Sequence, residues 1–379
     1  MNNKQKAIAI FNSAIDAVLP KNFIKNKISY KDQILTIQNE MFDLKRYKNI
    51  YLFGSGKASI SMTKELELML KERVFDGLVI SNHLKERLKY VPIFQSTHPL
   101  PSKKSLEAAN LLIKKLQSMK KDDFFIYCLS GGSSSLIEKP IANISIDQFI
   151  KITDQLLLSG KSIDEINRTR KKLSATKGGG LAKQTKADGV VLVMSDVISN
   201  DLHTIASAPF LHDNTLPTDP KHYILADNYL ALTGAKTKAE EFFQGVKIYK
   251  DFLNDDVKVC AKKIVHEIKN SKDRCLIFGG ESRVCVVGDG KGGRNQELAL
   301  WVLREIKDNK DITFLAGATD GIDGNSKASG GVVDCSDYDR SIDKFLLNND
   351  SNSFLKQKNA LLEIGDTNTN VMDIAIIIK

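Results

Sequence analysis

The chain has 379 residues, 42% of them hydrophobic and 27% charged. That length suits roughly two domains of ordinary size, and the composition excludes disordered and fibrous classes. Lys and Arg number 55 against 46 Asp and Glu, a formal net charge of +9. Such an excess serves plain solubility or attraction of small anions. Nucleic acid is not an expected partner, because aromatics are only 7%, do not interleave with the basic residues, and accompany no recognition motif.

At the N-terminus, Ile8, Phe11, Ile15 and Val18 recur at helical spacing while Asn12 and Asp16 interrupt the apolar run. The pattern predicts an amphipathic helix and not a signal peptide. No stretch approaches the roughly 18 apolar residues of a membrane span, so no membrane partner is expected. Cys128, Cys260, Cys275, Cys285 and Cys335 are scattered and form no C-x-x-C pair. They read as free, mostly buried thiols in a reducing, cytoplasmic setting.

Short β-branched runs then alternate with helical stretches, the pattern of an α/β protein with a parallel sheet covered on both faces. Strands are predicted over 49–56, 75–81, 91–97, 123–132, 189–197 and, more weakly, 223–227. Pro101 and Ser102 introduce a helix over 102–119, and two further helices fit 145–158 and 163–175. The rhythm restarts with strands at 274–281, 311–320 and 370–379 and a helix over 295–307, where Leu298, Trp301, Val302 and Ile306 share a stripe. A domain boundary is expected within 240–270.

Gly/Ser/Asp clusters follow the apolar strands, and open α/β sheets bind ligands beyond the carboxyl ends of their strands. In Gly54-Ser55-Gly56-Lys57 the small residues admit a phosphate to the backbone and Lys57 adds a charge. It is not a Walker A loop, since Ala58 stands where Ser or Thr would hold Mg²⁺, and the third glycine of a dinucleotide fingerprint is absent. A tight turn with an exposed lysine is the plainer alternative. Ser130-Gly131-Gly132-Ser133-Ser134-Ser135 offers hydroxyls and N–H groups to a carboxylate or phosphate, or is simply a loop.

Asn167, Arg170, Lys171 and Lys177 surround a helix and the glycine-rich turn after it, as an anion site or a solvated basic face. Arg294 emerges from Gly292-Gly293 just before Asn295 and its helix. Asp196 and Asp320 end apolar strands, where a carboxylate meets metal, cation or water, or else forms a cap or Asx-turn. Both are candidates for binding Mg²⁺ or for accepting a hydroxyl proton. His98 and His203 read as loop or packing residues.

In order along the chain, GSGKAS, STHPLPSKKSLEAA, LSGGSSSL, INRTRKKLSATKGGGLA, MSDVISND, GGES, GKGGRNQELAL, TDGIDG and TNVMDI resemble the glycerate 2-kinase family that carries a MOFRL domain. The resemblance runs from about residue 50 to the C-terminus. It implies two Rossmann-like α/β/α three-layer domains with mostly parallel sheets, at 1–245 and 246–379, facing a shared cleft. It implies ATP, with Mg²⁺, and D-glycerate as substrates and 2-phosphoglycerate as product. By the same matching Lys57, Arg294, Asp196 and Asp320 are the expected catalytic residues. Gly54, Ser55, Gly56, Ser130, Gly131, Gly132, Ser133, Ser134, Arg170, Gly293 and Asn295 are the expected binding residues. An NAD(P)H-dependent hydroxypyruvate reductase is the alternative, although no complete G-x-G-x-x-G opens a helix. Nothing in the sequence excludes a homodimer. Two segments depart from the family: Gly365–Asn370 replaces a GPTGTN-like turn, and Ser199-Asn200-Asp201 replaces a more glycine-rich loop.

Overall fold

A computed structural model describes residues 1–159, 163–216 and 218–379. Two compact units emerge, Pro20–Leu225 and a second that joins Met1–Leu19 to Ala226–Lys379. The N-terminal helix α1 (Asn3–Ala17) therefore belongs with the C-terminal half. Its buried Phe11 ring lies against Gly317, where a Cβ would sit 2.7 Å from the ring.

In Pro20–Leu225, α2 (Pro20–Lys27) leads into three short antiparallel strands, β1 (Ile28–Lys31), β2 (Ile34–Ile37) and β3 (Glu40–Asp43). These half-exposed strands have no continuous apolar run, which is why the hydrophobic pattern does not announce them. The main elements follow as β4 (Asn49–Ser55), α3 (Ser59–Leu70), β5 (Val74–Ser81), β6 (Ile93–Gln95), α4 (Lys103–Ser118), β7 (Asp123–Leu129), α5 (Ser133–Leu136), α6 (Ile146–Leu158), α7 (Ile163–Lys172), β8 (Asp188–Met194) and β9 (Lys221–Ala226). The sheet order is β6-β5-β4-β7-β8-β9, and every pair from β6 through β8 is parallel.

Both faces of that sheet are apolar because both are covered. Tyr51, Phe53, Leu78, Ile80, Tyr127 and Val191 pack with Leu112 and Leu116 of α4 on one side. Leu52, Val79, Ile126 and Leu192 occupy alternate positions and are equally buried, with α3 against their strands on the other side. The order places the ends of β4, β7 and β8 side by side.

The second unit continues with α8 (Asn228–Glu240), β10 (Val246–Leu253), α9 (Val257–Asn270), β11 (Cys275–Gly280), α10 (Arg294–Ile306), β12 (Thr313–Ala318), β13 (Gly330–Asp334), α11 (Ile342–Leu347), α12 (Ser351–Gln357), β14 (Leu361–Leu362) and β15 (Asp373–Ile378). Its sheet, β10-β11-β15-β12-β13-β14, corrects one expectation. Only β10–β11 is parallel; the other four pairings are antiparallel. The C-terminal β15 inserts between β11 and β12, a pairing that alternation of strand and helix along the chain does not reveal. α9 and α10 cover one face, while α1 and α8 contact the other.

Both segments that depart from the family pattern contain a left-handed asparagine. Asn368 adopts φ 57° and Asn200 φ 53°, the left-handed region that asparagine tolerates better than most residues. Cys128, Cys260 and Cys275 are buried as expected, whereas Cys285 is exposed. Among the described residues, no single helix is long and apolar enough to cross a membrane.

Candidate active site

In Pro20–Leu225, parallel β4 and β7 bring their terminal turns together. Gly56 takes φ 122°, and a Cβ there would lie 2.2 Å from Ser130 Oγ. That close approach lets the Lys57 N–H donate to the Gly131 carbonyl at 2.9 Å and the Ala58 N–H to Ser130 Oγ at 3.1 Å. Ser55 Oγ bonds the Tyr127 hydroxyl at 2.6 Å and also the Ser133 hydroxyl. Ser55, Ser130 and Ser133 are buried and spend their hydroxyls on one another's turns. They shape the loops; Ser134, half-buried, is the serine of the group that meets the cationic side chains.

Gly132, at φ 85°, leaves space that a side chain would fill: its Cβ would stand 2.9 Å from the His98 ring and 3.4 Å from Lys57 Cγ. His98, read from the sequence as a packing residue, thus flanks the turn that carries Lys57. Asp196 follows β8. Burial pushes its carboxyl above the ordinary range, a hydrogen bond with its own backbone opposes this, and the Lys57 charge opposes it further. Lys57 and Asp196 are therefore electrostatic neighbours across the strand ends.

Beneath Ser134 lies an ion pair outside the predicted set. Lys177 Nζ meets Glu138 Oε2 at 2.5 Å, with side-chain exposures of 2% and 0%. Glu138 had no signal in the sequence beyond standing just after the serine-rich turn. Arg170, on α7, donates to Ser134 Oγ at 3.4 Å.

In the second unit, Arg294 is paired with two carboxylates. Gly293 caps α10 with extended backbone, and Arg294 is its first residue. The guanidinium reaches Asp373 through Nε at 2.5 Å and a second nitrogen at 3.1 Å, and Glu281 at 2.5 Å. Burial disfavours its charge, yet Asp373, Glu281 and Asp323 more than compensate and hold it firmly protonated. Asp373 was missed from the sequence, although a lone carboxylate inside the apolar run NVMDIAIIIK is the signal that could have found it.

Asn295 is buried and, with Gln296, hydrogen-bonds Asp323. Burial, reinforced by Asp373, pushes the Asp323 carboxyl up to about 6. Asp320 instead accepts from the Ile322 N–H at 3.1 Å, an Asx-turn. Of the two aspartates in TDGIDG, Asp323 anchors the arginine-bearing helix.

Among the described residues, no three His, Cys, Asp or Glu side chains converge as a metal-ligand set.

Glycine-serine turns, a lysine–aspartate pair and half-buried guanidinium groups, set on covered sheets, are the features of an α/β enzyme. Residues 6–240 match the family described as a domain of unknown function (DUF4147), and residues 274–373 match the MOFRL family. The glycerate 2-kinase of Pyrococcus horikoshii is 30% identical over 100% of this chain and 98% of its own. The D-glycerate 2-kinase of Thermotoga maritima is 31% identical over 98% and 97%. A crystal structure of glycerate kinase from Thermotoga maritima superposes with a TM-score of 0.86 at 30% identity, covering 99% of both chains. The chain belongs to the glycerate 2-kinase family that carries a MOFRL domain.

Proposed function

We propose that this protein transfers the γ-phosphoryl group of ATP to the 2-hydroxyl of D-glycerate, releasing ADP and 2-phosphoglycerate. The reading rests on Lys57 beside Asp196 at the strand ends, together with relatives named as glycerate 2-kinases. Phosphoryl transfer needs mainly positioning and charge neutralisation. Lys57 would bear on the migrating group while Asp196 takes the proton of the attacking hydroxyl. Burial raises the proton affinity of that carboxyl, as a base requires, and the Lys57 charge opposes the rise. Asp320, committed to its turn, is the weaker candidate for this step.

Gly54, Ser55, Gly56, Ser130, Gly131, Gly132 and Ser133 would build the anion-facing turns. Magnesium would enter as part of the nucleotide substrate, held by phosphate oxygens and water, where it would neutralise phosphate charge. Gly293 and Asn295 would act through the placement of Arg294. The free thiols suit a cytoplasmic enzyme. None of the relatives named above is a reductase, and no observation favours that alternative.

The test is ADP release across a panel of small hydroxy acids, with the product passed to enolase in the absence of a mutase. D-glycerate-dependent ADP release with phosphoenolpyruvate formation is expected. Oxidation of NADH by hydroxypyruvate without any ATP turnover would overturn the reading.

A further inference from the structure

The charges behind the Gly131–Ser135 turn do not balance. Arg170 and Lys177 share a single carboxylate, Glu138, and that carboxylate is already used. Its Oε2 pairs with Lys177 at 2.5 Å, and its Oε1 accepts the Ser174 hydroxyl at 2.5 Å. Lys177 also donates to the Ser134 carbonyl at 2.7 Å, which ties the pair to the turn.

Arg170 is left with attraction at a distance and one long hydrogen bond, to Ser134 Oγ. Its Nε is buried without an acceptor, and among the described residues no carboxylate pairs with it. Among the described residues, two cations, Lys177 buried and Arg170 half-buried, face one anion, which leaves one net positive charge only partly reached by water. Removing an unpaired charge from water is costly, and an orphaned guanidinium nitrogen marks a missing partner.

A second hydroxyl is delivered to the same place at the expense of backbone strain. Ala206, Ser207 and Ala208 take φ of 50°, 62° and 54°, three successive left-handed residues without a glycine. Such conformations persist only where the surroundings over-determine them. Here the glycine-rich turn does so: the Gly178 N–H donates to the Ser207 carbonyl at 3.0 Å and the Gly179 N–H to Ala208 at 2.8 Å. The result places Ser207 Oγ 3.2 Å from Ser134 Oγ.

We propose that Arg170, Ser134 and Ser207 form the subsite for the carboxylate of the acid substrate, with Lys177 and Glu138 as the positioning pair beneath it. This rests on the kinase reading of the same site. A single excess charge, a planar guanidinium fork and two hydroxyls match the two oxygens of a carboxylate. A polyphosphate would demand more positive charge than this cluster holds.

The experiment uses the full chain with saturating magnesium–ATP. Arg170→Lys should raise KM for D-glycerate by roughly 30-fold or more, since the bidentate contact is lost, with KM for ATP within twofold of wild type. The double variant Lys177→Met, Glu138→Gln removes the buried charges at similar volume; it should raise KM for D-glycerate while leaving ADP affinity, read by calorimetry, unchanged. ADP affinity serves as the measure that each variant is folded. If wild type shows no D-glycerate-dependent ADP release, the kinase reading itself fails. If wild type turns over but Arg170→Lys keeps its glycerate KM within twofold, or loses ATP affinity instead, the subsite is wrong and the kinase reading stands.

Discussion

Lys57 lowers the affinity of Asp196 for its proton across the ends of two parallel strands, against burial, which raises it. The two side chains come from turns 139 positions apart in the chain, numbers 57 and 196. Strand order alone makes them neighbours, because β4 and β8 both flank β7.

Removing that lysine has two separable consequences. Lys57→Met should lower kcat by roughly 100- to 1000-fold through loss of transition-state charge stabilisation. Without the lysine, Asp196 holds its proton to higher pH, so the acid limb of kcat/KM against pH should move upward. A pH–rate profile with the limb unmoved would detach Asp196 from proton transfer.

Arg294 has a structural duty that complicates its expected role in catalysis. Arg294→Ala leaves Asp373, fully buried, without its partner. Breaking a fully buried pair on one side costs about 3–5 kcal/mol, and the 33% exposure of the Arg294 side chain sets this pair toward the lower figure. Urea denaturation should show a clear fall in midpoint, and the activity of the variant is interpretable only beside that measurement. An unchanged midpoint would mean that the Asp373 contact carries little energy.

Asp323 makes a prediction about acid stability with an unusual sign. Its carboxyl is raised from 3.8 to about 6 in the fold. Between those values the native state holds more protons than the unfolded chain, so this group's contribution falls as pH rises through the window. Its full amplitude is of order 3 kcal/mol. The stability difference between wild type and Asp323→Asn should therefore shift against wild type from pH 4 to pH 6 and level off above it. A difference independent of pH in that range would show an ordinary carboxyl.

Gly56 tests the geometry of the lysine turn. An alanine at φ 122° would place its Cβ 2.2 Å from Ser130 Oγ and 2.5 Å from the Ser130 carbonyl oxygen, so the turn must move. Gly56→Ala should cost on the order of 1–3 kcal/mol in stability and displace Lys57, with kcat falling more than the melting temperature alone explains. Normal kcat in this variant would show that the turn tolerates other shapes.

The covered α/β architecture was legible because strands buried on both faces read as unbroken apolar runs, as in DFFIYCL and DIAIII. The edge elements were not legible. β1 to β3 are half-exposed, and β14 has two residues, too short for any period to register. The Gly-Ser turns stood out because small residues just past a strand have few structural uses, and Arg170, Lys177 and Arg294 because they stand beside glycine-rich turns at helix ends. Glu138 and Ser207 carried no such mark, since their importance lies in what they touch.

Composition, periodicity and ordered motifs determined the fold class, the family and the position of the Lys57, Arg170 and Arg294 turns, because these are local properties of consecutive residues. Tertiary structure alone decided that β15 enters its sheet antiparallel, that α1 serves the C-terminal unit, and that Arg294 is paired with carboxylates while, among the described residues, Arg170 is not. Pairing across a sheet and neutralisation of a charge depend on residues distant in the chain, whose burial and approach no local pattern encodes.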